Sequence, residues 1–183
     1  EPFDVEASPA YATGKVEVQD AGSQLISSIC HAAPGMIVVD LCAGAGGKTL
    51  SLAADMKGEG QLIACDADRG RLQRLPDRAS RAGAAVETRL LNPGRELDAL
   101  GDLAGAADVV LVDAPCSGSG TWRRNPELRW RVTPARLDRI LNMQAQVLDV
   151  AQALVRPGGA LVYAVCSLFT REGAGQIDAF LAR

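Results

Sequence analysis

The 183-residue sequence has few aromatic residues, one histidine and no excess of positive charge. Aromatic residues make up 4% of the chain, and its net charge is −3. A dedicated nucleic-acid module is usually basic overall, so RNA would have to bind a local cluster of positive charge. Because His31 is the only histidine and no C-x-x-C pair occurs, we expect no zinc or other metal.

Long hydrophobic runs are also missing, and none approaches the roughly 20 residues that span a membrane. The start, EPFDVEASPA, lacks the basic and apolar regions of a signal peptide, so we expect no membrane segment. The odd, widely spaced set of five cysteines does not resemble a disulfide framework. Free thiols are typical of a reducing cytoplasm, and the sequence therefore predicts a cytoplasmic protein.

What is present is enough apolar sequence, 48%, for one globular domain. We predict a single domain over residues 1–183, in which residues 1–35 form a lead-in with an amphipathic helix at 20–30, and residues 36–183 form an α/β core. Because the first residue is Glu rather than Met, we expect a fragment or a processed chain.

Apolar runs and helical patterns alternate through this core. Strands are predicted at 36–41, 61–65, 85–91, 108–112 and 160–165, and helices at 48–56, 69–82, 134–155 and 172–182. This alternation predicts a doubly wound, mostly parallel sheet covered on both faces. Ligands of such sheets bind beyond the carboxyl ends of the strands.

A glycine-rich segment, VVDLCAGAGGKT at 38–49, follows the first strand. Gly44, Gly46 and Gly47 allow the backbone to approach a ligand closely, and an acid after the second strand, Asp66, commonly bonds ribose hydroxyls. We infer a cofactor with an adenosine-like ribose, which leaves nicotinamide cofactors and S-adenosylmethionine both open. Lys48 is expected either to contact the ligand or to cap the loop.

Two cysteines follow the fourth and fifth strands, Cys116 in DAPCSGSG and Cys166 before Ser167. Neighbouring parallel strands lie about 4.8 Å apart, so both thiols should face one crevice. A thiolate that adds to carbon 6 of cytosine makes carbon 5 nucleophilic towards a methyl donor, which is covalent catalysis. We expect the amino end of the last helix to favour the Cys166 thiolate.

These segments together resemble the RNA cytosine-5 methyltransferases of the NOL1/NOP2/Sun family. The matching stretches are QDAGSQL at 19–25, DLCAGAGGKT at 40–49, DADRGRLQRL at 66–75, DAPCSGSGTWRRNPELRWR at 113–131 and YAVCS at 163–167. The resemblance implies the Rossmann-like fold of class I S-adenosylmethionine-dependent methyltransferases. It also implies that the family's closing C-terminal strands and N-terminal RNA-binding extension are missing here.

The resemblance implies a role for each matching residue. Cys166 is implied to attack carbon 6, and Cys116 to aid product release. The implied S-adenosylmethionine site consists of Cys42, Ala43, Gly44, Ala45, Gly46, Gly47, Lys48, Asp66, Arg71, Asn92 and Asp113. Three positions depart from the family pattern: Gly44-Ala45-Gly46 lacks the usual proline, Asn92 replaces an aspartate at the adenine, and Val165 replaces a threonine.

A basic, aromatic stretch at 122–136, WRRNPELRWRVTPAR, supplies the local positive charge. Arginines can contact phosphates, and aromatic side chains can stack on splayed bases. The predicted RNA-binding residues are Arg123, Arg124, Arg129, Arg131 and Trp122. For the tryptophans the alternative is that they anchor the loop to the core. The basic helix at 69–82 is expected to be a solvated face, apart from Arg71.

We therefore predict the catalytic domain of an RNA cytosine-5 methyltransferase. Ribosomal RNA is a better candidate than transfer RNA on the resemblance, and we expect a monomer. One alternative is a nicotinamide-dependent oxidoreductase, which explains the glycine loop and Asp66 but leaves the two cysteines unused. A second alternative is a non-catalytic module that binds RNA or the cofactor.

Overall fold

Five short strands form one sheet in the computed structural model, which describes residues 4–183. They are β1 (Ile37–Asp40), β2 (Gln61–Asp66), β3 (Glu87–Leu90), β4 (Ala107–Asp113) and β5 (Val155–Ala164). Their spatial order is β3-β2-β1-β4-β5, and every pairing is parallel. The predicted doubly wound parallel sheet is confirmed, and its switch point lies between β1 and β4.

Helices cover both faces of this sheet. They are α1 (Pro9–Ala12), α2 (Ala21–Ile29), α3 (Gly47–Met56), α4 (Arg69–Leu72), α5 (Leu75–Ala82), α6 (Leu97–Leu100), α7 (Leu128–Arg131), α8 (Pro134–Leu154) and α9 (Ala174–Leu181). Single 3₁₀ turns lie at Gly101–Leu103 and Ser119–Thr121. Residues 1–3 of the predicted domain lie outside the described residues. The prediction that the start of the chain is not a signal peptide falls partly on these residues. The domain bounds stay a prediction.

Alternation along the strands fills two cores. Val39 and Val110 point to one face, where they belong to the same buried cluster as Ala151 of α8. Val38 points to the other face and packs in a cluster with Leu52 of α3. Both faces of the central strands are therefore buried, and the loops at the carboxyl ends of the strands are where a ligand site is expected.

The predicted continuous helix at 69–82 is wrong, because the chain breaks between α4 and α5. Pro76 lies in the first turn of α5. Proline has no N–H to donate to the preceding turn, and its ring clashes with a helix that continues through it, so a new helix starts there.

The fifth strand starts earlier than predicted. The pattern predicts that the segment at 157–159 closes the helix, yet α8 ends at Leu154 and β5 begins at Val155. Pro157 is tolerated because β5 is an edge strand with a register shift opposite Ala107 and Val109. Among residues 4–183 no strand follows β5, and no helix in this range is long and apolar enough to cross a bilayer.

Candidate active site

The two predicted cysteines lie side by side at the carboxyl ends of β4 and β5. Their Sγ atoms are 3.2 Å apart, which is hydrogen-bonding distance for thiols. Cys166 is exposed and Cys116 is partly buried. The prediction that both thiols face one crevice is confirmed, since parallel pairing of β4 with β5 brings the two loops together.

The thiol pair makes Cys166 the more acidic partner. The hydrogen bond from Cys116 is the main cause that lowers the pKa of Cys166 to about 7, against burial and the Asp113 charge, which raise it. The same bond, with burial, raises the pKa of Cys116 well above its usual range. From the sequence we expected the last helix to favour the Cys166 thiolate. However, α9 begins only at Ala174, and the neighbouring thiol is the main cause of the lowered Cys166 pKa.

A cavity of about 550 Å³ opens beside these thiols. Six of the predicted site residues line it: Cys42, Asp66, Arg71, Asp113, Cys116 and Cys166. Apolar side chains complete much of the wall, namely Leu41, Leu91, Pro93, Met143, Val147 and Val150. The cavity therefore has a mostly apolar wall with a few carboxylates and three thiols, which is typical of a small-molecule site.

The glycine-rich loop borders this cavity in a conformation that requires glycine. Gly44 and Gly46 have positive φ values of 57° and 86°. A Cβ on Gly46 would lie 2.1 Å from Cδ1 of Leu75. The N–H of Gly44 donates to Oδ2 of Asp66 at 2.7 Å, so Asp66 holds the loop as well as lining the cavity.

Lys48 forms an ion pair within the structure. Its Nζ lies 2.7 Å from Oδ2 of Asp113, and its side chain is 13% exposed. The pair joins the start of α3 to the end of β4, next to the thiols. Of the two expectations for Lys48, the structure favours a structural link between loops over an open ligand contact.

Other predicted cofactor residues lie outside the cavity wall. Ala43, Gly44, Ala45, Gly46, Gly47 and Lys48 form the loop behind Cys42 and do not line the cavity. Asn92 is exposed and is also absent from the wall, although its neighbours Leu91 and Pro93 belong to it. Arg71, in contrast, does line the cavity; its guanidinium is exposed and lies 4.0 Å from Asp66.

The basic, aromatic stretch has two tryptophans in different environments. Trp122 is partly buried and packs edge-to-face on Phe169, with ring centroids 6.2 Å apart. Trp130 is 79% exposed, and its ring is 4.9 Å from the guanidinium of Arg129. The aromatic side chain available for stacking is therefore Trp130, whereas Trp122 anchors the loop. The predicted arginines, Arg123, Arg124, Arg129 and Arg131, are all exposed.

A buried carboxylate that was not predicted from the sequence lies behind the two thiols. Glu172 is 0% exposed and accepts hydrogen bonds from Ser117 and Ser167, the residues that follow Cys116 and Cys166. The repeated Cys-Ser dipeptide was the available signal, since it places a hydroxyl beside each thiol. Residues 4–183 contain no cluster of three or more potential metal ligands.

The sequence is similar to one known protein family and to several of its members. The model of the family described as 16S rRNA methyltransferase RsmB/F matches residues 29–183. The probable ribosomal RNA small subunit methyltransferase B of Synechocystis sp. is 39% identical over 94% of this chain and 39% of its own length. The corresponding Enterobacter sp. protein is 35% identical over the whole chain and 42% of its own length. The chain thus spans about two fifths of these relatives.

A solved structure has a closely similar backbone. NSun6 from Pyrococcus horikoshii, solved with SFG, superposes with a TM-score of 0.86 at 25% identity. The match covers 99% of this chain and 46% of that one.

Proposed function

The chain belongs to the 16S rRNA methyltransferase RsmB/F family, and on that premise we propose that it methylates carbon 5 of a cytosine in RNA with S-adenosylmethionine. Its sheet is that of the Rossmann-like class I methyltransferases. The observation that carries the proposal is the 3.2 Å approach of Cys116 and Cys166 at the wall of the cavity. Family membership favours this reading over a nicotinamide-dependent oxidoreductase.

The residues present fit S-adenosylmethionine. Asp66 presents a carboxylate at the end of β2, where ribose hydroxyls are commonly bound. Leu91 and Pro93 offer an apolar wall to an adenine, and Cys42 leads into the glycine loop on the methionine side. A Cβ at Gly46 would displace Leu75 behind this loop, so the loop shape depends on glycine. SFG in the Pyrococcus horikoshii relative supports the same assignment.

We assign the attack to Cys166. With a pKa of about 7 it ionises near neutral pH, and its exposure leaves it accessible to a base. The thiolate forms a bond to carbon 6 of cytosine, and the electron pair moves to carbon 5. Carbon 5 would then take the methyl group that bound S-adenosylmethionine supplies, as the methyl–sulfur bond breaks and its electron pair stays on the sulfur. Family membership supports the methyl transfer, and the thiol geometry supports the covalent route.

We assign the release step to Cys116. After methyl transfer, the proton on carbon 5 must leave so that the ring double bond re-forms and the bond between carbon 6 and Cys166 breaks. Cys116 lies 3.2 Å from Cys166, on the same face of the cavity. At that distance Cys116 is close enough to take the carbon 5 proton, provided that its own S–H proton has first passed to solvent and it acts as the thiolate.

We propose small-subunit ribosomal RNA as the substrate, because the family and its relatives are described by that RNA. The exposed arginines at 123, 124, 129 and 131 would contact phosphates, and Trp130 would stack on an unpaired base. This local charge would offset the net charge of −3. Transfer RNA serves as the comparison substrate.

The test is covalent trapping with RNA that contains 5-fluorocytosine, whose fluorine blocks loss of the carbon 5 substituent. In the presence of S-adenosylmethionine we expect the wild type to form an adduct stable in denaturing gels, with the linkage at Cys166 by mass spectrometry. Cys166→Ala should form none. Cys116→Ala should also accumulate an adduct on ordinary cytosine, because release fails while attack continues.

Cys30→Ala is the matched control, since it removes a buried thiol from the core beside α2 and should trap as well as the wild type. The covalent proposal fails if Cys166→Ala still forms the adduct, or if the wild type forms none on small-subunit ribosomal RNA, transfer RNA or total cellular RNA. Binding of S-adenosylmethionine measured beside NAD tests the cofactor separately.

A further inference from the structure

Glu172 is a fully buried carboxylate that contacts the loops of both thiols. Its Oε1 accepts from the backbone N–H of Ser117 at 2.8 Å, and its Oε2 accepts from the Ser117 and Ser167 hydroxyls at 2.5 Å each. Ser117 directly follows Cys116, and Ser167 directly follows Cys166. One side chain is therefore bonded to the residue next to each sulfur.

Gln144 of α8 holds this carboxylate and is itself held by Gln176 of α9. Gln144 is 0% exposed and donates through Nε2 to Oε1 of Glu172 at 3.1 Å and to the carbonyl of Pro115 at 2.9 Å. Gln176 donates to Oε1 of Gln144 at 3.3 Å, which fixes the orientation of the Gln144 amide. The backbone on both sides of Cys116 is thus bonded to one buried network.

The contacts require a group that only accepts. Glu172 receives four donors, two on each oxygen, and no cationic side chain pairs with it among the described ion pairs. A glutamine at this position would point its NH₂ either at two N–H groups or at two hydroxyls that now donate. Aimed at the N–H groups, it would leave buried donors without a partner, which is costly. Aimed at the hydroxyls, it would force both to rotate and accept, so the present bonds from Ser117 and Ser167 would be lost.

We propose that Glu172 is a positioning residue that fixes Cys116 and Cys166 at hydrogen-bonding distance. The proposal rests on the methyl-transfer function in assigning the pair a catalytic purpose, but the positioning is a property of the chain alone. The two loops follow different strands, and further contacts between them, such as Gly120 N–H to the Cys166 carbonyl at 3.0 Å, involve no charged group. Glu172 joins the two loops through a carboxylate that accepts four hydrogen bonds.

The test measures the ionisation of Cys166 in Glu172→Gln. The pH dependence of its alkylation by iodoacetamide is followed by mass spectrometry of the Cys166 peptide, without RNA. Besides Glu172, the charged and titratable groups around this thiol are Cys116, Asp113 and Lys48, and none of these three is altered. Loss of the Glu172 charge would by itself lower the midpoint, so a rise cannot come from the lost charge. We expect the midpoint to rise by about one pH unit, a roughly tenfold loss of thiolate below it, because the bond from Cys116 lengthens.

Binding of S-adenosylmethionine separates positioning from general damage. Glu172 does not line the cavity. The dissociation constant of S-adenosylmethionine should therefore change less than about twofold in a folded Glu172→Gln protein. Leu103→Ala is the stability control, since it removes a buried core side chain that makes no hydrogen bond to either loop and should leave the alkylation midpoint at the wild-type value.

Glu172 is not a positioning residue if folded Glu172→Gln keeps the wild-type midpoint, or if Leu103→Ala shifts it equally. If Glu172→Gln does not fold, Ser167→Ala and Ser117→Ala remove single hydroxyl contacts and should each raise the midpoint; unchanged values in both overturn the proposal. Alkylation needs no RNA. The positioning role of Glu172 can therefore be tested even if the protein forms no adduct with RNA that contains 5-fluorocytosine.

Discussion

At the scale of single residues, the proposed chemistry depends on the ionisation of the Cys166 thiol. The main influence on it is another thiol, because the S–H of Cys116 donates to the Cys166 sulfur and favours its charged form. The Lys48 ammonium also favours the thiolate, but Lys48 is already bonded to Asp113, whose charge opposes it. Cys116 is therefore expected to act on Cys166 before any RNA is bound.

Cys116→Ala should raise the pKa of Cys166 from about 7 towards its ordinary value of 9.0. A thiol reacts as the thiolate, so the alkylation rate follows the ionised fraction and rises with pH through the pKa. We expect the variant to react more slowly at pH 7, by up to roughly 50-fold if the pKa reaches 9.0, and to approach the wild-type rate above pH 9. The measurement is the pH profile of Cys166 alkylation.

The profile of Cys30→Ala provides the baseline, since that thiol is in the core and does not contact Cys166. Coincident profiles for Cys116→Ala and the wild type would show that the Cys116 hydrogen bond does not set the ionisation of Cys166.

The position of the two thiols could be predicted from the sequence, but their surroundings could not. Cys116 and Cys166 each follow an apolar run, and parallel strands put such positions at one edge. Glu172 escaped prediction because its role depends on burial by α8 and α9 and on two serines 50 residues apart. Trp122 and Trp130 lie in one stretch of the sequence. Their environments differ because only Trp122 packs on Phe169, and the sequence does not show this contact.

At the scale of elements, the loop between β1 and α3 ends in two adjacent glycines with different surroundings. Gly46 is the N-cap of α3 and lies in the left-handed region, directly against Leu75. Gly47 begins the helix, and a Cβ there would meet only the Gln19 amide at 4.0 Å. A methyl group at Gly46 would therefore clash with its surroundings, whereas one at Gly47 would not.

Gly46→Ala should lower the free energy of unfolding by about 1 to 3 kcal/mol, from backbone strain and the clash with Leu75. It should also weaken S-adenosylmethionine binding, because the loop must move. Urea unfolding and calorimetric titration measure the two effects. Gly47→Ala is the matched control and should leave both close to wild type; equal losses in the two variants would contradict the assigned role of Gly46.

Strand and helix types could be predicted where the apolar period is strong, and bounds failed where proline intervenes. The run at 108–112 became β4 with one added residue at each end. Pro76 started a new helix inside the basic segment, whereas Pro157 did not stop β5. The difference is tertiary, since an edge strand with a register shift tolerates a missing N–H and a helix interior does not.

At the scale of the whole molecule, the chain combines an acidic balance with one basic, aromatic segment. The exposed arginines from 123 to 131 lie in the segment that follows the Cys116 loop, so the proposed RNA surface continues from the active site. The sequence predicted this segment from composition. It could not predict which aromatic ring is free, because that depends on α7 and on contacts with the loop after β5.

The two tryptophans therefore give opposite expectations on substitution. Trp130→Ala should weaken binding of single-stranded ribosomal RNA roughly tenfold, as expected when one stacked base is released, and leave stability unchanged because the ring is 79% exposed. Trp122→Ala should lower the free energy of unfolding by roughly 2 kcal/mol, because its packing on Phe169 is removed. Fluorescence anisotropy at several salt concentrations, with urea unfolding in parallel, measures both.

Salt dependence then distinguishes stacking from phosphate contact. Removal of one phosphate contact should reduce the slope of log affinity against log salt by about 0.7 for single-stranded RNA. Arg129→Ala should show that reduction, whereas Trp130→Ala should weaken binding at every salt concentration with an unchanged slope, since an uncharged ring displaces no counterion. If Trp130→Ala binds as tightly as the wild type while Trp122→Ala binds RNA poorly and keeps its stability, the roles assigned to these side chains are reversed.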